Sequence, residues 1–167
     1  MIPRIITGGG EIFQLIDDLL RSGRLVRLRV TGRSMAPWLE DGMLVTLRRV
    51  PTAALTAGTV VLFLAGNGRP VLHRVIRKVQ APDGSPWFLI KGDACAIPDG
   101  LVAADQIIGT IVGVDHKAAS GRSLEVMRET FLRPSLDRLL AIASHRSPRL
   151  FRALSHRLVP RWRRRRV

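Results

Sequence analysis

The sequence predicts a mainly β fold, preceded by one helix and followed by a helical, basic extension. Three observations support this prediction. Apolar residues recur at helical spacing near the start of the chain, alternate with a period of two through the middle, and return to helical spacing near the end. We expect an N-terminal amphipathic helix in residues 1–23, a β-rich domain in residues 24–120 and a basic helical extension in residues 121–167.

The first element is an amphipathic helix over residues 10–22. Gly23 follows it directly and is a typical C-terminal stop signal. An apolar stripe on one face gives the helix a side to bury. The residues of that stripe are Ile12, Leu15, Ile16, Leu19 and Leu20.

The middle of the chain has the pattern of β-strands. In "LVRLRV", Val26, Leu28 and Val30 alternate with two arginines, which is typical of a half-buried strand. The turn "GNGR" favours a hairpin, because an Asn-Gly pair accepts positive φ angles at little cost. Further strands are expected at residues 43–50, 59–65, 71–79, 87–92 and 107–115.

Beyond Gly121 the pattern becomes helical again and strongly basic. Pro134-Ser135 and Ser147-Pro148 are start signals for two amphipathic helices. Residues 122–167 contain thirteen arginines and three acidic residues, so they hold most of the chain's net charge of +14. We expect this extension to dock on an anionic membrane surface, to pack on the domain with a solvated end or, less favoured, to bind nucleic acid by charge.

Composition excludes several classes of protein. A chain of 167 residues, 46% of them hydrophobic, is long and apolar enough for one core and is not expected to be disordered. Its single cysteine, Cys95, excludes an internal disulfide framework, and its four histidines lack metal-ligand spacing, so we expect no metal and no cofactor.

Hydropathy bears on location. No segment reaches the roughly 20 apolar residues that a spanning helix needs, and no signal-peptide pattern opens the chain. The expected location is therefore cytoplasmic, or peripheral on a membrane.

Three segments of the expected β domain carry residues suited to acyl transfer. Ser34 lies in "GRSMAPWLEDG", and a serine hydroxyl needs a nearby base to become a nucleophile. His73 is expected on the same strand face as the apolar residues Val71 and Val75. Burial there is expected to keep its imidazole neutral and able to accept a proton. Asp93 and Asp99 lie in "FLIKGDACAIPDG" and could orient it. Taken singly, His73 also fits a satisfied core histidine, and the Gly-x-Ser fits a plain turn.

Together these segments resemble the type I signal peptidases, from Arg29 to Val114. "GRSMAPWLEDG" is similar to the nucleophile box of that family, and "GTVVLFL" with "VLHRVI" to the strand pair that carries the base. "FLIKGDACAIPD" is similar to the Lys-Gly-Asp box, although Ala94 and Cys95 stand where asparagines are common. "IIGTIVGV" is similar to the closing strand.

The resemblance implies a signal-peptidase-like β fold and a role for each residue. A histidine before Arg-Val is similar to the branch found in the endoplasmic reticulum and the archaea. That branch implies Ser34 as nucleophile, His73 as general base and Asp99 as orienting acid, supported by Asp93. It also implies an extended peptide substrate cut after small residues.

Two further residues are expected to contact the substrate region. Met35 is expected to pack beside the substrate, although simple core filling explains it equally well. Gly32 is expected to let the backbone come close, and having no side chain, it leaves the Ser34 N–H as the expected oxyanion donor.

Two alternatives to a leader peptidase stay open. Gly-x-Ser-Met also opens the active site of the related self-cleaving repressors, so self-cleavage on the same fold is one of them. A non-catalytic module that binds a membrane or a partner protein is the other. The expected partners are accordingly a peptide or precursor protein and an anionic membrane surface, with nucleic acid unlikely.

Overall fold

The structure is a computed structural model that describes residues 9–115. The helices expected in the basic extension, residues 121–167, lie outside the described residues.

Within the described range the protein consists of one α-helix and seven β-strands. Single turns of 3-10 helix at Thr52–Ala54 and Ala104–Gln106 lie in two of the connections. The mainly β prediction is therefore confirmed for this part of the chain. The elements are α1 (Gly9–Arg21), β1 (Val26–Arg29), β2 (Leu44–Arg48), β3 (Val60–Leu64), β4 (Pro70–Gln80), β5 (Pro86–Lys91), β6 (Gly100–Ala103) and β7 (Ile107–Asp115).

The strands form a single antiparallel sheet in the order β1-β2-β7-β3-β4-β5-β6. The register shifts by one residue at three points, because β7 has an extra residue opposite β2 and another opposite β3, and β4 has one opposite β5. Such β-bulges bend a strand and increase its twist, and the sheet is curled. The predicted hairpin joins β3 to β4, where the Ala65 N–H donates to the Arg69 carbonyl oxygen at 2.9 Å.

Alternation along the strands divides the apolar side chains between two buried groups. The first core cluster lies under α1 and the loop between β1 and β2, and the second lies against β3, β4 and β5. The first cluster contains Ile16, Leu20, Val30, Met35, Leu39, Val45, Leu47, Val60, Leu62, Ile108, Ile111 and Val114. The second contains Leu55, Val61, Phe63, Val75, Phe88, Ile90, Val102 and Ile107.

Helix α1 packs closely on β7 because one strand residue has no side chain. A Cβ atom at Gly109 would lie 2.9 Å from Leu20 Cδ1, which is closer than such atoms approach one another. Leu20 is 1% exposed and belongs to the first core cluster. Leu15, which was expected in the same apolar stripe, is 46% exposed and lies outside the core cluster, so the buried face of the helix is narrower than the sequence pattern predicts.

In the part of the chain that the structure describes, no helix combines the length and the hydropathy needed to cross a membrane.

Truncation of Leu20 tests how strongly α1 is held on the sheet. Leu20→Ala should lower the free energy of unfolding by about 2–5 kcal/mol, because it opens a cavity between the helix and Gly109. Leu15→Ala makes the same change on the exposed face and should cost under about 1 kcal/mol. Urea denaturation of the full chain measures both values. Equal losses in the two variants would contradict this packing.

Candidate active site

The loop between β1 and β2 carries Ser34 and is tied together at its base. The Gly42 N–H donates to the Val30 carbonyl oxygen at 2.8 Å. The Gly32 N–H donates to Asp41 Oδ1, also at 2.8 Å. Gly32 has a φ of +88°, a conformation that residues with a Cβ rarely adopt. The short loop therefore turns sharply just before Ser34, at a position where a glycine is needed.

Apolar side chains anchor the same loop from below. Met35 is 3% exposed, Leu39 is fully buried, and both belong to the first core cluster. The Met35 carbonyl oxygen accepts hydrogen bonds from the N–H groups of Trp38 and Leu39, each at 3.0 Å. Ser34 therefore sits on a fixed turn. Contact of Met35 or Gly32 with a substrate stays a prediction.

His73 lies in the first half of β4, on the face of the second core cluster. It pairs across the sheet with Val61, and the Phe63 ring lies 6.3 Å from the imidazole, centroid to centroid. The residue as a whole is only 6% exposed. His73 Nδ1 lies 2.6 Å from Asp99 Oδ2, so one ring nitrogen is occupied by a carboxylate.

Asp99 reaches His73 from the end of the loop that follows β5. Its backbone N–H donates to the Ile90 carbonyl oxygen at 2.9 Å, and Gly100 follows with a φ of +109°. Its side chain is 30% exposed, whereas that of His73 is 7% exposed. The carboxylate therefore stands between solvent and a buried imidazole, and it fixes the orientation of the ring.

Asp93 binds the residue next to His73 and not the imidazole itself. Arg74 Nε and Nη2 donate to the two Asp93 carboxylate oxygens at 2.9 and 2.7 Å. Arg74 Nη1 donates to the Gly58 carbonyl oxygen at 2.8 Å. The side chains of Arg74 and Asp93 are 1% and 0% exposed. The second predicted aspartate thus fastens the loop after β5 to β4 through a buried ion pair.

Gly92 is where the loop after β5 meets both Ser34 and His73. A Cβ atom on Gly92 would lie 2.9 Å from His73 Nε2 and 2.9 Å from the Ser34 carbonyl oxygen. That carbonyl oxygen accepts a hydrogen bond from the Ala94 N–H at 2.8 Å. The free ring nitrogen of His73 and the backbone of Ser34 therefore border the same small volume.

Ser34 and His73 approach each other without a direct bond. Within residues 9–115, no hydrogen bond joins the Ser34 hydroxyl to the imidazole. Bonds between a nucleophile and its base are often long in an empty site and shorten when a substrate binds. The geometry thus joins His73 to Asp99 and places the Ser34 backbone beside the imidazole.

Two ionisable residues near this site were not assigned a role from the sequence. Lys91 pairs across the sheet with Arg74 and is 1% exposed. Burial lowers the pKa of Lys91, and the negative charge of Asp93 opposes that shift. Burial raises the pKa of the Cys95 thiol, and the Asp99 carboxylate raises it further.

The sequence contains a weak signal for the buried charges of Arg74 and Lys91. Arg74 and Lys91 each interrupt an apolar strand at a position that alternation assigns to the same face as apolar neighbours. A charged residue in that position predicts a buried partner of opposite sign. Asp93, two residues after Lys91, is a candidate for that partner in the sequence. Among the described residues, no group of three or more His, Cys, Asp or Glu side chains is placed to hold a metal ion.

Two comparisons with known proteins find sequences that are similar to this chain. Residues 4–112 match a family model described as Peptidase S24-like. The signal peptidase complex catalytic subunit SEC11 of Debaryomyces hansenii is 30% identical over 93 residues, which cover 50% of this chain and 56% of that protein. The chain thus spans about half the length of the curated relative that it matches.

Removal of Arg74 tests the buried ion pair. Arg74→Met should lower the free energy of unfolding by about 3–5 kcal/mol, because it leaves the Asp93 carboxylate buried without its partner. Arg77→Met removes an exposed arginine from the same strand and should cost under about 0.5 kcal/mol. Replacing both members, Arg74→Met with Asp93→Leu, should recover much of the loss. Chemical denaturation measures all three, and similar values for Arg74→Met and Arg77→Met would contradict the pairing.

Proposed function

Because the chain belongs to the Peptidase S24-like family, we propose that it is a serine endopeptidase of the signal-peptidase type, cleaving a leader or precursor peptide after small residues. The observation that carries this proposal is the 2.6 Å contact between His73 and Asp99, made beside the backbone of Ser34. A serine, a histidine and a carboxylate in this arrangement are suited to acyl transfer at a peptide bond.

In the proposed mechanism, Ser34 Oγ attacks the carbonyl carbon of the substrate while its proton passes to His73 Nε2. The Asp99 carboxylate accepts a hydrogen bond from Nδ1–H and stabilises the imidazolium that forms. The imidazolium then protonates the leaving amine, and the acyl group stays on Ser34. A water molecule deprotonated by His73 finally hydrolyses this ester and restores the free enzyme.

The backbone N–H of Ser34 is the proposed donor to the oxyanion. This N–H has no hydrogen-bond partner within the described part of the chain, so it is free to bind the developing charge. Removing one such donor from a serine peptidase typically costs about 100-fold or more in rate. Since residue 32 is a glycine, no side chain at that position adds a second donor.

The Arg74–Asp93 pair has a proposed role in positioning. Arg74 directly follows the base, and Asp93 lies in the loop that ends at the orienting Asp99. Holding these two residues together limits movement between His73 and Asp99. Small displacements of reacting groups reduce rates steeply, so a buried anchor beside the base is useful to the reaction.

Similarity to a signal peptidase catalytic subunit supports a precursor peptide as the substrate class. The small-residue preference and the contacts of Met35 and Gly32 with the bound peptide belong to this proposal. Self-cleavage, as in the repressor peptidases, would leave two fragments in a mass spectrum of the pure chain after alkaline incubation. An intact chain would count against self-cleavage.

We further propose that the basic extension docks the enzyme on an anionic membrane surface. Its arginines and Trp162 have the composition of an interfacial segment, in which each basic residue contributes about 1 kcal/mol.

Substitution of the three proposed catalytic residues tests the mechanism. Ser34→Ala and His73→Ala should each lower kcat/KM on an Ala-x-Ala peptide by about 10 000-fold or more, because either change removes the nucleophile–base pair. Asp99→Asn should lower it by about 100-fold to 10 000-fold, because the imidazole loses its orienting charge. Cleavage is followed by liquid chromatography and mass spectrometry.

The matched control for Asp99→Asn is Asp105→Asn. Asp105 is exposed in the 3-10 helix before β7, and its replacement should leave kcat/KM unchanged. A folded Ser34→Ala variant with wild-type activity would overturn the proposed nucleophile. Folded wild-type protein that cleaves none of a library of precursor peptides would favour the non-catalytic alternative.

Liposome flotation tests the membrane proposal with the full chain. Wild-type protein should float with vesicles containing an anionic phospholipid at low salt and be released at high salt, because screening weakens charge attraction. Replacing Arg161 and the arginines of residues 163–166 by glutamine should reduce flotation several-fold. Equal flotation of the two proteins would remove the membrane claim, and binding to RNA in place of vesicles would favour a nucleic-acid partner.

A further inference from the structure

One face of helix α1 carries a leucine that the described elements leave largely uncovered. Glu11, Leu15 and Asp18 follow one another at spacings of four and three residues, so they share one face of the helix. All three are exposed, whereas Leu20 is buried on a different face, against β7. The Leu15 face, formed by these three exposed residues, therefore presents an apolar side chain between two carboxylates.

The two carboxylates of the Leu15 face are not engaged by the rest of the described chain. Asp17, on an adjoining side of the helix, pairs with Arg21 and Arg49. Glu11 and Asp18 form no ion pair among the described residues. A leucine between two unpaired negative charges is complementary to a partner that is both apolar and cationic.

The last described strand ends close to helix α1. A tight turn follows α1, and Leu25, just after that turn, is 59% exposed. Two residues later, Arg27 of β1 binds Asp115, the last residue of β7. Strand β1 also packs against α1. The basic extension therefore continues from a point beside the corner that α1 and β1 form.

The sequence of the basic extension has the composition that the Leu15 face requires. Residues 138–167 contain ten arginines and no acidic residue. The helix expected after Ser147-Pro148 combines an apolar stripe with arginines on its other faces. The stripe consists of Leu150, Phe151, Leu154 and Leu158, and the arginines are Arg149, Arg152 and Arg157.

Other occupants fit the Leu15 face less well. An anionic membrane or a nucleic acid would be repelled by Glu11 and Asp18. A second copy that packed α1 on α1 about a two-fold axis would bring the same carboxylates together, because such a contact uses one patch twice. The basic extension carries the opposite charge. It is also joined to the domain, which gives it a high effective concentration at this face.

We propose that residues 147–158 pack along the Leu15 face of α1. Their apolar stripe covers Leu15, and their arginines pair with Glu11 and Asp18. Even as a continuous helix, residues 116–146 would span about 45 Å, so the connection is long enough.

This contact would set where the end of the extension lies. The arginines of residues 163–166 are outside the docked segment and stay available to the proposed membrane surface. Helix α1 and the loop that carries Ser34 cover the same core cluster. The docked segment would therefore lie on the same face of the sheet as that loop.

Hydrogen exchange of the full chain, followed by mass spectrometry, tests the contact without an assay of activity. In wild-type protein, the amides of residues 149–158 should exchange at least about ten-fold more slowly than in an unstructured chain, because docking stabilises the helix. Asp18→Lys and Leu15→Ala should each reduce this protection several-fold. Both substitutions lie outside the segment whose exchange is measured. The exchange of α1 itself should be unchanged, which shows that the helix stays folded.

The matched controls are Asp105→Lys and Leu101→Ala. They make the same changes at an exposed aspartate before β7 and at an exposed leucine of β6. Neither should alter the exchange of residues 149–158, because neither lies on α1.

Several results would overturn the inference. They are unprotected amides in residues 149–158 of the wild-type protein, or equal protection in Asp18→Lys and Asp105→Lys. Protection that increases with protein concentration would assign the contact to a second copy, and protection that requires anionic vesicles would assign it to the membrane. Since exchange is measured without substrate, a protein that lacks peptidase activity but shows the expected protection would reject the proposed function and leave this contact standing.

Discussion

The buried ion pair between Arg74 and Asp93 is the interaction on which the geometry of the site depends. Both side chains are almost wholly removed from water, and neither charge is tolerable there without the other. Their bond draws the loop after β5 onto β4, and that loop carries Asp99 to His73 and Gly92 to Ser34. Three segments distant in sequence are therefore held at one point. The loop that carries Ser34 is also held by the first core cluster, which contains Met35 and Leu39.

Much of the fold could be predicted because its signals are local. Alternation located six of the seven strands, the Asn-Gly turn located the β3–β4 hairpin, and the apolar stripe located α1. β6 was missed because its four residues, Gly100–Ala103, are too few to show a period and follow a loop of turn-forming residues. Predictions for residues 121–167 concern a part of the chain outside the described residues.

The site was predictable only where a residue type implies its chemistry. Hydroxyl, imidazole and carboxylate groups together suggest acyl transfer, and on that ground the sequence analysis selected Ser34, His73, Asp93 and Asp99. Asp99 contacts His73 whereas Asp93 contacts Arg74. Which aspartate makes which contact depends on how segments distant in sequence pack together, and no local pattern shows that. The same holds for Gly92, since its importance lies in a space shared with residues 34 and 73, and no local pattern shows such a space.

The adjacency of His73 and Arg74 has a consequence for how the family can change in length. Neighbouring residues of a strand point to opposite faces of the sheet, so one pleat of β4 presents the imidazole on one side and the anchoring guanidinium on the other. A deletion of one residue ahead of them in β4 would exchange the two faces and place an arginine where the imidazole belongs, and an insertion would move the imidazole to the other face. Length variation is therefore expected to collect in the turn at residues 65–69 or beyond the bulge near Arg77. Between the turn and the bulge, the number of residues in β4 is as constrained as their identity, because both determine which face His73 and Arg74 occupy.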